Sequence, residues 1–197
     1  VGQITVDDVM DEVREQSERD YQLASGLSQD VETDDNVFRQ TTARLPWLII
    51  GMLGGIGNSM ILGNFDATFA AHPEMALYIP LIGGTGGNVG TQSSALIVQG
   101  LANSSLDSKN TLKQVAKEAV VALINATIIS LLVYTYNFIR FGAMATVTYS
   151  VSISLFAVVM FASIFGTLVP MTLERLKIDP AIATGPFIAI TNDIIGM

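Results

Sequence analysis

Leu81–Gly100 reads LIGGTGGNVGTQSSALIVQG, with five glycines among the eight positions from Gly83 to Gly90, followed by an apolar run without one charge. Such a stretch is either a phosphate cradle on a soluble fold or a close-packed helix in a bilayer. A Walker-type cradle needs G-x-x-x-x-G-K-[ST], whose lysine neutralises phosphate. No lysine stands between Arg44 and Lys109. A dinucleotide fingerprint needs a preceding strand and an acidic residue about 20 positions on, within a βαβ unit; this stretch lies inside an apolar run of membrane length. In a bilayer, glycines let helix backbones approach closely, and Asn88, Thr91, Gln92, Ser93 and Ser94 are too polar to face lipid. They either glue helices together or, with Asn88 and nearby carbonyls, line a wet path. So many polar groups in one place favour the wet path.

Composition agrees with a membrane protein. Half of the 197 residues are hydrophobic, 14% are charged, and mean hydropathy is +0.48, far from an average soluble domain. The net charge of −8 is concentrated: residues 1–35 carry eleven acidic residues against Arg14 and Arg19, and the remainder is nearly neutral. So negative a head excludes nucleic acid as a natural partner. With no cysteine, disulfides and thiolate metal sites are excluded. A first residue that is not methionine, without a positively flanked signal segment, predicts part of a longer protein.

A spanning helix needs about 20 mostly apolar residues. Charge-free windows of that order run over 45–65, 75–106, 119–139 and 141–173, and a shorter fifth runs over 181–197, predicted as a cropped or barely sufficient span. Arg39, Arg44, Lys109, Lys113, Lys117, Arg175 and Lys177 fall on one side of these windows, and only Arg140 falls on the other. Positive loops stay inside, which predicts a cytoplasmic N-terminus, an outside C-terminus and five crossings of the cell membrane. Pro46 and Trp47 mark the start of the first span, after a polar linker from Ser28.

Asp193 is the one charged side chain within the five windows. A charge near mid-bilayer costs about 3 kcal/mol or more unless compensated, and no Lys, Arg or His lies in another window. A proton, a wet cavity or a bound cation remains, or else an interfacial position at the chain's end. Pro186 cannot donate a backbone hydrogen bond, so it is expected to free the carbonyl of Ile182, with Gly185 loosening the same turn. Thr184, Thr191 and Asn192 add oxygens. Such a set suits a hard cation, Mg²⁺ or Ca²⁺. One carboxylate per chain suggests a symmetric pore in which two chains contribute one each.

PLIGGTGGNVGTQSSALIVQGLA and LKIDPAIATGPFIAITND resemble the second-helix motif and the start of the fifth helix in the MgtE family of magnesium channels and transporters. VGQITVDDVMDEV resembles the closing strand and helix of a CBS domain, which precedes the membrane part in that family. The resemblance implies an all-α polytopic membrane protein: residues 1–13 the CBS tail, 14–44 an acidic cytoplasmic plug helix and linker, and 45–197 a five-helix pore domain. It implies a homodimeric, Mg²⁺-selective pore gated by internal Mg²⁺, with nearly all of the sensor outside this sequence. Asp193 would hold hydrated Mg²⁺, assisted by the carbonyl of Ala189, with Asn88 beside the pore and Glu118 at its cytoplasmic mouth. Gly185 stands where some members carry Asn, so one side-chain oxygen is absent there.

Asp11, Glu12, Glu15, Glu18 and Asp20 recur at helical spacing. They make either a solvated face or, since a divalent cation relieves their repulsion, a switch; the resemblance assigns Glu12, Glu15 and Glu18 to sensing. Enzymatic chemistry is not indicated, since the single histidine and single intramembrane carboxylate assemble no triad or acid–base pair. The alternative is a proton- or sodium-coupled divalent-metal transporter using Asp193; an intramembrane protease would need a second aspartate, and a scaffold would leave the cost of Asp193 unexplained.

Overall fold

A computed structural model describes residues 5–28, 31–103, 106, 111–142, 145–183 and 185–196. Among them the regular structure is helical throughout, without a strand. The α-helices are α1 (Val6–Ala24), α2 (Val37–Gly63), α3 (Asp66–Ala71), α4 (Ile79–Ala102), α5 (Thr111–Phe141), α6 (Thr146–Arg175) and α7 (Pro186–Gly196), with 3-10 turns at Pro73–Tyr78 and Pro180–Ala183. Three of them, α2, α5 and α6, are long and apolar enough to cross a membrane. In α4 the glycines and amides dilute the hydropathy, and α7, with 11 residues, is about 16 Å long against a hydrocarbon core of about 30 Å.

Several boundaries differ from the sequence reading. The segment read as a polar linker becomes helical at Val37, where the Asn36 side chain caps the first turn by accepting from the Arg39 N–H at 2.9 Å. The helix then runs through Pro46 instead of starting there. Phe141, the predicted start of the fourth window, closes α5, because Gly142 adopts φ +91° and breaks the chain direction. Residues 6–13, part of the stretch that resembles the closing strand and helix of a preceding domain, lie on α1, which runs on to Ala24; residues 1–4 of that stretch lie outside the described residues. The Thr5 side chain and Asp8 form a reciprocal cap at the start of α1, so the helix has a defined beginning of its own.

α6 is the central post. Half of its apolar window is buried, against 6% for α2 and 11% for α5. It packs on α5 and α4, α4 packs on α7, and α2 rests on α7. The buried stripe of α4 comprises Gly83, Gly86, Gly90, Ser93, Ser94 and Ile97, the i, i+3, i+7 spacing of one helix face. A Cβ on Gly166 of α6 would strike the Gly90 carbonyl, and one on Gly90 would lie 2.6 Å from Ile188 Cγ2 and against the Asn192 amide. The backbones of α4, α6 and α7 therefore meet where side chains are missing.

The end of α1 docks on the start of α7. Gly26 (φ +80°) and Gly185 (φ +54°) are both left-handed; a Cβ on Gly185 would meet the Ala24 carbonyl, and one on Gly26 would lie 2.6 Å from Pro186 Cγ. The acidic helix is thereby held at the end of the bundle where α7 begins.

Gly166→Ala is expected to destabilise by about 1–3 kcal/mol, because the new methyl meets backbone that cannot rotate away. Gly84→Ala, where a Cβ meets nothing within 4 Å, is expected to be neutral or stabilising by up to about 1 kcal/mol from helix propensity. Thermal unfolding in detergent compares the two.

Candidate functional site

α7 starts at Pro186, a position where the missing N–H is not needed, and its first bond runs from the Ala189 N–H to the Gly185 carbonyl at 3.0 Å. Ile182 belongs to the preceding 3-10 turn. Pro186 therefore opens a helix where the sequence reading has it interrupt one, and the Ile182 carbonyl, expected to be left free, belongs to the turn before that helix. Thr184 lies outside the described residues. The Thr191 hydroxyl donates to its own helix, to the Phe187 carbonyl at 2.9 Å.

Three faces of α7 have different neighbours. Ile188 and Asn192 are buried, with Asn192 Nδ2 donating to the Gly86 carbonyl at 3.2 Å. Ile190 packs on α2, where a Cβ on Gly51 would lie 3.8 Å from it and one on Gly54 would overlap it. Between these faces runs the stripe of Ala189 and Asp193, four residues apart and hence on one side. A Cβ on Gly87 would lie 3.8 Å from Ala189 Cα, so Asn88, the next residue and an exposed one, lies on a turn of α4 adjoining α7. Asn192 belongs with the packing face instead of the Asp193 stripe, because consecutive helical residues point about 100° apart. Its Oδ1 is enclosed and unpartnered.

Asp193 is half-buried. Among the described residues its carboxylate has neither a hydrogen bond nor an ion pair. A carboxylate so placed needs water, a cation or a proton.

Glu118 is positioned differently. Its Oε1 accepts from Ser93 Oγ of α4 at 2.7 Å and from Ser163 Oγ of α6, and the two hydroxyls lie 3.1 Å apart. The cluster joins three helices and borders a cleft of about 550 Å³ whose lining residues come from α4, α5 and α6, from Asn103 and Leu106 beyond the end of α4, and from none of α7. Glu118 is therefore not gathered with Ala189 and Asp193 in this chain. Ser163 went unnoticed in the sequence, since a serine inside an apolar span gives no signal of what it faces.

Glu12, Glu15 and Glu18 are exposed on α1. Glu15 pairs with Arg19 at 3.0 Å and Glu18 with Arg14 at 3.1 Å, surface pairs of small energetic weight. Among the described residues no group of three or more His, Asp or Glu is close enough to hold a metal ion. The Asp8 carboxyl is held below the usual carboxylate range by the Thr5 hydroxyl and N–H that donate to it.

Comparison with known proteins gives consistent results. The MgtE family model, described as a divalent cation transporter, matches residues 79–197. The chain is similar to the magnesium transporter MgtE of Bacillus subtilis, 31% identical over the whole chain and 44% of that protein. It is also similar to the magnesium transporter MgtE of Thermus thermophilus, 32% identical over the whole chain and 44% of that protein. For the protein of that name from Enterococcus faecalis, identity is 28% over 98% of the chain and 42% of the relative. The chain thus spans less than half the length of these relatives.

Because Ser93 and Ser163 donate to one carboxylate oxygen, removing both is expected to cost less than the sum of the single losses. Ser93→Ala and Ser163→Ala should each destabilise by about 1 kcal/mol, with a coupling of at least about 0.5 kcal/mol in the double-mutant cycle. Unfolding of the four proteins in one detergent measures it; strict additivity would mean that the cluster is not shared.

Proposed function

We propose, from the premise that this chain belongs to the MgtE family of divalent cation transporters, that it forms the membrane pore of a magnesium channel or transporter carrying Mg²⁺ into the cytoplasm. The observation that carries this reading is the Asp193 carboxylate, half-buried on α7 and without a protein partner among the described residues. The relatives named as magnesium transporters supply the choice of ion. Mg²⁺ gives up its waters reluctantly and is usually held by one or two carboxylates through them. Asp193 is the group that holds the hydrated ion, the Ala189 carbonyl one turn earlier accepts from its water shell, and Asn88 borders the path.

In this reading α2, α4, α5, α6 and α7 are the five crossings, with residues 45–197 as the pore domain, the N-terminus inside and the C-terminus outside. The positions of Lys and Arg support that orientation. A second copy completes the pore. The exposed Asn88 on α4 and the face of α2 away from α7, a helix in which Ala43 and Asn58 are the buried residues, suit a homodimer in a lipid bilayer. Residues 1–13 continue a CBS domain and 14–44 connect it to the pore, and Glu12, Glu15 and Glu18 respond to internal Mg²⁺. The docking of α1 against the start of α7 through Gly26 and Gly185 gives such a response a direct mechanical route to the Asp193 helix.

The test is Mg²⁺ uptake into proteoliposomes. Asp193→Ala and Asp193→Asn are each expected to lower uptake at least about ten-fold, equivalent to about 1.4 kcal/mol or more at the rate-limiting barrier, while eluting as the parent does on size exclusion. Full uptake by Asp193→Ala would remove this residue from the mechanism. Uptake that appears only under an imposed pH or sodium gradient would turn the channel into a coupled carrier.

A further inference from the structure

The cleft between α4, α5 and α6, which Glu118 borders, takes no part in the function proposed for Asp193. On α5 its lining residues Gln114, Glu118, Val121 and Asn125 fall at i, i+4, i+7 and i+11, which places them on one helix face. Gln92, Ser93 and Gln99 of α4, with Asn103 just past its end, line it from the other side. Two polar stripes therefore oppose each other within helices that are otherwise apolar. Asn125 lies about 21 Å along α5 from its first residue Thr111, yet it is exposed. An exposed amide at that depth is costly in hydrocarbon and is satisfied where the cleft holds water.

We infer that this cleft is a second divalent-cation site, centred on Glu118 and separated by α4 from the Asp193 stripe. Both serine hydroxyls donate to Oε1, which leaves Oε2 for the cleft. Among the described residues the side-chain amides of Gln92, Gln99, Gln114 and Asn125 make no hydrogen bond, so their oxygens can accept from a cation's water shell. A volume of about 550 Å³ accommodates an ion that keeps its hydration. One carboxylate with oxygen acceptors around it is the donor set of a weakly held, hydrated Mg²⁺ and not of zinc or copper. Lys117 also borders the cleft; it is exposed, so its charge is screened by salt. The Ser93 and Ser163 bonds make the occupant's effect felt on α4 and α6 together, since a cation at Oε2 draws the carboxylate away from both hydroxyls or fixes it against them.

The site is read by binding, so its failure is distinct from failure of the role given to Asp193. Mn²⁺ binding is followed by electron paramagnetic resonance on the full chain in nanodiscs, with Mg²⁺ as competitor. In Asp193→Asn, one Mg²⁺-displaceable Mn²⁺ per chain is expected beyond any bound at α1. Asp193→Asn/Glu118→Gln should lose that equivalent or bind it at least about ten-fold more weakly, with an unchanged melting temperature showing that Gln keeps the serine bonds. Asn125→Leu, which makes the deep end of the cleft apolar, should weaken the same equivalent. Equal Mn²⁺ number and affinity with and without Glu118→Gln would overturn the inference, as would a cleft found filled by lipid or by a second copy of the chain in a density map with Mg²⁺ present.

Discussion

The contact of the α4 backbone with α6 at Gly90 and Gly166 sets where everything else can lie. The Gly90 carbonyl leaves no room for a side chain on Gly166, and Ile188 and Asn192 of α7 leave none on Gly90, so distance and rotation are settled together. With α4 so held, its Gly86–Gly87 turn meets α7 and its Ser93 reaches Glu118 and Ser163. α4 thus becomes a wall with a different polar lining on each side. The apolar bulk of α2, α5 and α6 puts the chain in a membrane; the glycine contact gives that bulk an internal geometry.

The carboxylates divide by how they are satisfied. On α1 and in the following segment they use near neighbours in sequence: Asp8 takes the Thr5 hydroxyl and N–H, and Asp35 takes the Glu32 N–H and Arg39. The Glu32 N–H chiefly, and then Arg39, hold the Asp35 carboxyl below the usual range. Glu118 instead uses hydroxyls 25 and 45 residues away, which exist as partners only after three helices have assembled. Asp193 has no protein partner among the described residues. This gradation follows the cost of desolvation, small for a surface carboxylate and large within the bundle.

Local chemistry carried much of the fold in advance. Charge-free runs located the apolar helices, and the glycine-rich stretch announced close packing without naming its partners. Boundaries were harder: α2 starts at Val37 because the Asn36 cap and continuing helical bonds outweigh the polar character of the residues before Pro46, and composition alone does not register a cap. Asn192 looked like a ligand beside Asp193, yet it faces Gly86, since neighbouring residues on a helix serve different faces. Ser163 could not have been singled out, because its role depends on the rotation of α6 against α4 and α5.

The amino-acid sequence by itself determined that this is a helical membrane protein with an acidic head, an uncompensated Asp193 and a stretch of small residues. Those properties follow from composition and from spacing along one helix, which neighbours in sequence already define. Only the tertiary structure decided that Gly90 faces Gly166, that Ala189 rather than Asn192 shares a stripe with Asp193, and that Glu118 belongs to a cleft walled by α4, α5 and α6. Such facts depend on how rigid helices rotate and slide against one another, and that is settled by where backbones can touch, a property of pairs of helices and not of either one alone.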